Sequence, residues 1–271
     1  MLRKTSGILA AFALAACGSA SEQVEPTSLA SEAGALESQV PKPKLGLMTS
    51  LPLYWPLGAD FSDLARGEGE VPWQRGEIEQ SHEIVLLDTL TPIPGLTADA
   101  PETDPLEGLT RLAVVQPRGL SPADNVALDE WVRAGGKLLL VLDPMLTGHY
   151  ELALGDPRRP TDTALIPPVV RRWGMEISYS GPVGHELDIE RIADGGLTLI
   201  AALHGEIAIT DPGAASCELL AEKIVARCAV GKGEVVLIAD ATMFETRIEP
   251  TAAARPENMQ LVRLLNFAFE G

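Results

Sequence analysis

The stretch from residue 111 to residue 142 restricts the fold of this chain more than any other part of the sequence. An apolar strand, RLAVV, is followed by a helix that opens with Ser121, a residue type that caps helices, and Pro122, which fits the first turn. Gly135 follows the helix, and a second apolar strand, KLLLVL, begins at Lys137. A strand, a helix and a strand in this order form a right-handed crossover between parallel strands. The chain is therefore predicted to contain a parallel α/β sheet.

Other short apolar runs predict further strands. They lie at residues 44–53, 82–90, 175–179, 197–203, 206–210 and 228–240, the last being a hairpin that turns on Gly231-Lys232-Gly233. Continuous apolar runs of this length are typical of strands buried on both faces. A helix from about Pro256 closes the chain, with Leu261, Leu264 and Leu265 on one face. We expect a mainly parallel sheet with C-terminal β-hairpins and a final helix.

The N-terminus has the pattern of a signal peptide. Arg3 and Lys4 precede about ten apolar residues, which as a helix would rise only about 15 Å, too little to cross a membrane. The sequence Leu14-Ala15-Ala16-Cys17 follows and resembles the lipobox of bacterial lipoproteins, in which the cysteine is acylated. An ordinary secretory signal, with Cys17 incidental, is the alternative. We predict a signal peptide over residues 1–16 and a lipid on Cys17.

The amino-acid composition distinguishes an N-terminal tether from a folded domain, and the net charge limits which molecules the protein can bind. Residues 17–43 are rich in Ser, Ala, Glu and Pro without apolar periodicity, which predicts a disordered tether. Residues 44–271 are then one α/β domain, or two lobes over about 44–150 and 151–271. The whole chain carries a net charge of −17, so nucleic acid and anionic lipid surfaces are poor partners. We expect a lipoprotein that faces the periplasm, on the inner or the outer membrane.

Two cysteines remain in the predicted domain. The sequence CELLAEKIVARC predicts a hairpin that turns at Glu222-Lys223 and places Cys217 opposite Cys228. A disulfide between them is one interpretation, and two small buried core residues are the other. Two cysteines at this spacing without a nearby histidine pair do not match a zinc site, so we expect no metal.

Two parts of the chain resemble a known domain type. Residues 111–144 read RLAVVQPRGLSPADNVALDEWVRAGGKLLLVLDP, and residues 231–245 and 256–268 read GKGEVVLIADATMFE and PENMQLVRLLNFA. They resemble the soluble domain of auxiliary components of uncharacterised ABC transporters, the gliding-motility GldG type. The likeness covers residues about 44–145 and 223–269.

The resemblance implies both a fold and a role. The fold would be a flavodoxin-like or glutamine-amidotransferase-like α/β sheet with helices on both faces. The role would be that of a non-enzymatic, lipid-anchored auxiliary or binding protein without a cofactor, associated with ABC transporter permease or ATPase subunits. Members of that family usually carry their own transmembrane helices, whereas this chain has a lipobox instead.

Ligands of a doubly wound sheet bind beyond the carboxyl ends of its strands, which directs attention to the residues there. The candidates are Thr49, Ser50, Tyr54, Trp55, Asp88, Asp143 and Asp240. The two aromatic residues would stack on a sugar or a peptide, or else pack under their loop. The three aspartates would hold a hard cation or act as general acid and base in a hydrolase, or else cap turns through their side chains.

Covalent acyl transfer finds no support in the sequence. Such chemistry needs a cysteine or serine on a sharp turn after a strand, with a histidine nearby in space. The turn Asp143-Pro144-Met145 offers neither a thiol nor a hydroxyl, and the chain has no Gly-x-Ser-x-Gly or Gly-x-Cys-x-Gly. The histidines, at 82, 149, 185 and 204, are interpreted as structural or solvated. We expect no catalytic residue.

Overall fold

The structure is a computed structural model that describes residues 41–58, 62, 66–67, 70–97, 99–179, 181, 188–247 and 259–270. The predicted signal peptide, Cys17, almost all of the tether, His185 and Pro256 lie outside the described residues. Among the described helices, none combines the length and the hydrophobicity that a membrane crossing requires.

The described part of the chain contains strands and helices in its first half and mainly strands in its second half. The strands are β1 (Lys44–Thr49), β2 (Glu83–Leu86), β3 (Arg111–Val115), β4 (Lys137–Val141), β5 (Met175–Ser178), β6 (Glu190–Asp194), β7 (Leu197–Ala201), β8 (Glu206–Ile209), β9 (Ser216–Leu220), β10 (Val225–Val230) and β11 (Gly233–Ile238). The helices are α1 (Trp73–Ser81), α2 (Pro122–Ala134), α3 (Pro168–Arg172), α4 (Thr242–Glu245) and α5 (Gln260–Glu270), with a 3-10 turn over Ala221–Lys223.

Seven strands form the central sheet, in the order β2-β1-β3-β4-β11-β10-β9. The first five are parallel to one another, and β10 and β9 continue the sheet as antiparallel strands. Two small antiparallel pairs, β5 with β8 and β6 with β7, lie outside it. The protein is thus a mixed α/β protein with a mainly parallel central sheet.

Each face of the central sheet is covered by its own layer. On one face, every second residue of the inner strands, such as Leu139 and Val141 of β4, packs with α1, α5 and the β6–β7 pair. On the other face, Leu138 and Leu140 pack with α2, α3 and part of the β5–β8 pair. Both faces of the inner strands are therefore buried, which accounts for the continuous apolar runs in the sequence.

The predicted crossover is confirmed in detail. Strands β3 and β4 are parallel neighbours joined by α2, and Ser121 and Asp124 form a reciprocal capping box at the start of that helix. Gly135 follows the helix with φ of 127°, a conformation that residues with a Cβ rarely adopt. These local signals fix where the helix begins and ends.

Helices α1 and α4 and strand β6 were not predicted. Helix α1 contains Gly76 and few apolar residues, and it is held in place by contacts distant in sequence. The Gln74 amide donates to the Phe244 carbonyl at 2.8 Å, and the Glu77 carboxylate accepts from the Leu261 N–H at 3.0 Å. Strand β6 is largely exposed, so it lacks the apolar pattern that marks the other strands.

The second half of the sheet contains a disulfide between Cys217 and Cys228. Strands β9 and β10 pair in the register that the hairpin predicts, with these two residues opposite each other. The turn between them places Ala221, Glu222 and Lys223 at positive φ, from 48° to 71°. Such values are uncommon for residues with side chains, so the strand pairing and the disulfide hold this turn in an unfavourable backbone conformation.

Candidate functional site

A cavity of about 450 Å³ lies beyond the carboxyl ends of β1 and β2, and we call it the strand-end cavity. Its lining includes Thr49, Ser50, Tyr54, Trp55, Asp88 and Arg158. The first five of these are among the seven ligand-binding candidates. The cavity borders the end of β1, next to the point between β1 and β3 where the order of the strands reverses.

The loop after β1 presents its aromatic side chains to the cavity because neighbouring leucines anchor it. Leu51 and Leu53 are 5% and 0% exposed and belong to the core, whereas Trp55 is 45% exposed. The Thr49 hydroxyl oxygen accepts the Leu51 N–H at 2.9 Å and tightens the start of the loop. The alternative that Trp55 packs under the loop is therefore not observed.

The two aromatic rings form a fixed pair. The rings of Tyr54 and Trp55 meet edge to face, with centroids 4.7 Å apart and an interplanar angle of 84°. The guanidinium of Arg75 lies 4.1 Å from the Tyr54 centroid and 5.5 Å from that of Trp55, and Glu79 holds this arginine at 2.7 Å. Helix α1, which carries Arg75, thus orients the aromatic side of the cavity.

Several polar groups of the cavity have no partner among the described residues. They are the carboxylate of Asp88, the hydroxyl hydrogen of Thr49, the Tyr54 hydroxyl and the Trp55 ring N–H. Asp88 is exposed, so its charge is solvated in the free protein. One acceptor and three donors on residues that line the cavity are therefore without a partner in the described part of the chain and can bond to a ligand.

Arg158 lines the cavity with its charge already compensated. Its guanidinium donates to both oxygens of Asp156, at 3.1 and 2.9 Å. These hydrogen bonds lower the pKa of Asp156 to about 2, so the aspartate stays ionised at any ordinary pH. Among the described lining residues, the uncompensated charge is that of Asp88.

Ser50 has a structural role although it lines the cavity. Its hydroxyl donates to the Gln116 carbonyl at 2.5 Å and accepts the Thr161 N–H at 3.2 Å. The residue is 9% exposed. With both functions of the hydroxyl in use and no histidine bonded to it, Ser50 lacks the base that would make it a nucleophile.

Gln116, which was not among the predicted site residues, joins the cavity to the rest of the sheet. Its amide accepts the Asp143 N–H at 2.8 Å and donates to the Asp143 and Thr161 carbonyls at 3.0 and 2.9 Å. The residue is fully buried at φ of 43°, an uncommon backbone conformation. The signal in the sequence was a polar residue at the end of an otherwise apolar strand.

Asp143 and Asp240 do not line the cavity, which corrects the interpretation that they bind a ligand. They are 0% and 1% exposed. Asp143 accepts the N–H groups of Met145 and Ala241, and Asp240 accepts those of Ala202 and Thr242. These contacts match the alternative interpretation, in which the aspartates cap turns after β4 and β11.

Burial raises the pKa values of both aspartates. Loss of hydration, and then the charge of Asp240, raises the pKa of Asp143 to about 8. Burial likewise raises the pKa of Asp240 to about 7, against the hydrogen bonds that favour its charged form. The pair therefore retains a proton at neutral pH.

Glu245 forms a second contact cluster that the sequence analysis missed. Its carboxylate accepts the Tyr150 hydroxyl at 2.5 Å and both the N–H and the hydroxyl of Thr147 at 3.1 Å. Burial and the charge of Glu245 raise the pKa of Tyr150. These contacts tie the long loop after β4, which also carries Arg158, to helix α4.

Metal-binding clusters and histidine sites are not evident in the described part of the chain. The described residues include no group of three or more His, Cys, Asp or Glu arranged to hold a metal ion. His82 is buried beside Phe269, and burial together with the charge of Arg111 lowers its pKa to about 4. His149 is exposed, and neither it nor His204 lines the strand-end cavity.

Comparison with known proteins gives only distant structural matches. No protein-family model matches the chain, and no curated protein matches it. Among solved structures, an exo-β-1,4-mannosidase from Opitutaceae bacterium strain TAV5 is 17% identical with a TM-score of 0.36, over 73% of this chain and 31% of that enzyme. A β-galactosidase from Rahnella sp. R3 is 12% identical with a TM-score of 0.40, over 74% of this chain and 29% of the enzyme. A β-galactosidase from Bacillus circulans sp. alkalophilus is 14% identical with a TM-score of 0.36, over 73% and 28%.

These matches correct one expectation and leave others as predictions. The similar structures are glycoside hydrolases, so the expectation of a non-enzymatic auxiliary protein of an ABC transporter is wrong by this comparison. The chain spans less than a third of each matched enzyme, and at these TM-scores neither activity nor substrate transfers to it. The resemblance to GldG-type domains is not tested by any of these findings.

Proposed function

We propose that this protein is a hydrolase that acts on a small polar substrate in the strand-end cavity, with Asp88 as its acid–base group. One observation carries the proposal: a carboxylate without a partner among the described residues lines the same cavity as two hydroxyl groups, at the carboxyl end of a parallel sheet. Asp143 and Asp240 support the site from behind through Gln116 and do not contact the substrate.

The proposed reaction uses water as the second reactant. Asp88 takes a proton from a water molecule as the water oxygen bonds to the electrophilic atom of the substrate. The bond to the leaving group breaks, and the leaving group takes a proton from solvent. The hydroxyls of Thr49 and Tyr54 donate hydrogen bonds to substrate oxygens, and Asp88 then releases its proton to solvent.

The finer fold assignment is part of the same proposal. We infer a flavodoxin-like or glutamine-amidotransferase-like arrangement. The order of the five parallel strands across the sheet, β2-β1-β3-β4-β11, supports it. If these five are counted in chain order, this is the 2-1-3-4-5 order of that arrangement. In that arrangement the end of β1 is the usual position of a ligand site.

Attachment to a membrane through a lipid on Cys17 is proposed on the sequence pattern alone. One acyl methylene contributes about 0.8 kcal/mol when buried, so several chains would hold the protein to the cell envelope. Mass spectrometry of the mature N-terminus tests the attachment. An unmodified Cys17 would refute it without affecting the proposed hydrolysis.

The experiment for hydrolysis compares two aspartate-to-asparagine variants of the full-length chain. Purified wild type, Asp88→Asn and Asp99→Asn are assayed with nitrophenyl esters, phosphates and glycosides for release of nitrophenolate. Asp99 is exposed and lies outside the cavity, so its variant is the matched control. We expect turnover of one substrate class by wild type and control, and at least a hundredfold loss in Asp88→Asn. No turnover by wild type, or equal turnover by Asp88→Asn, would refute the proposal.

A further inference from the structure

We propose that the strand-end cavity recognises a neutral saccharide. This inference rests on the proposed function for the location of the site, and it specifies the chemical class of the substrate. Three features of the cavity support a neutral saccharide: its charge, its donors and acceptor without partners among the described residues, and its exposed aromatic surface.

The charge of the cavity disfavours anionic ligands. Arg158 donates through Nε and Nη2 to both oxygens of Asp156, so its positive charge is already compensated and attracts a carboxylate or phosphate only weakly. Among the described lining residues, Asp88 leaves one uncompensated negative charge, which repels an anion. A phosphate ester or an organic acid is therefore a poor fit.

The balance of donors and acceptors disfavours a cationic ligand as well. An ammonium group donates hydrogen bonds and accepts none, so it would satisfy Asp88 alone. The hydrogen atoms of the Thr49 hydroxyl and the Trp55 ring N–H, and the Tyr54 hydroxyl, would remain without an acceptor. A ligand hydroxyl both donates and accepts, so several hydroxyl groups on one neutral molecule satisfy all four protein groups.

The exposed aromatic surface of the cavity favours a ligand that has an apolar face in addition to its hydroxyl groups. Trp55 is 45% exposed, and its position is fixed by the edge-to-face contact with Tyr54. A pyranose ring has a face of C–H groups and a rim of hydroxyls, so it can cover the indole while its rim reaches Asp88. The cavity volume of about 450 Å³ lies within the usual range of small-molecule sites.

The test measures binding of neutral methyl glycosides and short oligosaccharides of glucose, galactose, mannose and N-acetylglucosamine to the full-length protein. Titration calorimetry and tryptophan fluorescence follow binding, with acetate, inorganic phosphate and methylamine as charged probes. We expect millimolar or tighter binding of at least one saccharide and none of the charged probes. Trp55→Ala should weaken that binding at least tenfold, Trp55→Phe should restore part of it, and Asp99→Asn should leave it unchanged.

Two outcomes would overturn the inference. One is the failure of every saccharide in the panel to bind, and the other is saccharide binding that Trp55→Ala does not weaken, with circular dichroism confirming that each variant is folded. Saccharide binding without hydrolysis would refute the proposed function and leave the substrate class standing. Hydrolysis of esters or phosphates that depends on Asp88, without saccharide binding, would support the proposed function and refute the saccharide as its substrate class.

Discussion

The buried pair Asp143 and Asp240 predicts a specific dependence of stability on pH. Both carboxyl groups have a pKa above that of an unfolded aspartate, 3.8, mainly because they are buried. The folded state therefore binds more protons than the unfolded state between about pH 4 and pH 8. By linkage, the stability that protonation contributes is fully present below pH 3.8 and is lost as the pH rises through the folded-state pKa values.

The magnitude follows from one proton. If Asp143 alone retains a proton in the folded state, the free energy of unfolding falls by about 1.4 kcal/mol per pH unit, or about 3 kcal/mol from pH 5 to pH 7. Asp143→Asn removes that proton. The amide nitrogen cannot accept a hydrogen bond, so either Met145 or Ala241 loses the acceptor of its N–H, at a cost of about 1–3 kcal/mol.

The two effects oppose each other, so the stability curves should converge. At pH 5 we expect Asp143→Asn to be less stable than wild type by about 1–3 kcal/mol, and by pH 7 the deficit should vanish or change sign. Urea unfolding of the full-length chain, followed by circular dichroism from pH 5 to pH 8, measures both curves. Asp99→Asn, at an exposed position, should run parallel to wild type. A constant gap between Asp143→Asn and wild type across that range would refute the reasoning.

Two further substitutions test buried polar contacts elsewhere in the fold. Asp129 accepts from the ring N–H of Trp173 at 2.8 Å and from Arg172 at 2.7 Å, so Asp129→Ala should lower the free energy of unfolding by about 2–4 kcal/mol in urea titrations. Glu130→Ala, at the exposed neighbouring position, should change it by less than about 0.5 kcal/mol, and an equal loss in both variants would contradict this role. His82 has a folded-state pKa of about 4, below its ordinary 6.5, so it contributes stability above pH 6.5 that is lost as the pH falls toward 4. In His82→Leu the loss of thermal stability on acidification should be smaller than in wild type, and an unchanged loss would argue against a buried neutral imidazole.

The parts of the fold that the sequence predicted are those with strong local signals. Strand β4 is a continuous apolar run, and α2 begins with a capping box and ends at a glycine. Helix α1 and strand β6 have no such signal. Their positions depend on contacts with segments distant in sequence, such as those that Gln74 makes with Phe244 and Glu77 with Leu261, and no local pattern encodes these contacts.

The candidate site was predictable in position and less so in composition. The rule that ligands bind at the carboxyl ends of parallel strands identified Thr49, Tyr54, Trp55 and Asp88, because each lies at the end of a strand or shortly after it in sequence. The same rule also selected Asp143, which lies at a strand end and points into the core. The sequence shows where a strand ends, but it does not show whether the residue at that end is exposed to solvent or buried. That difference separated the cavity residues from the buried pair.

Side-chain contacts hold the loop between β4 and α3 near both of its ends. Near its start, Glu245 holds Thr147 and Tyr150, and near its end Ser50 and Gln116 hold Thr161. Arg158 lies between these contacts, on the stretch that borders the cavity. Roughly residues 151–158 could therefore be replaced to change which ligands the cavity binds, because the rest of the protein already fixes the chain on both sides of this segment. Grafts that also replace Thr147 or Thr161 would give up those fixed ends.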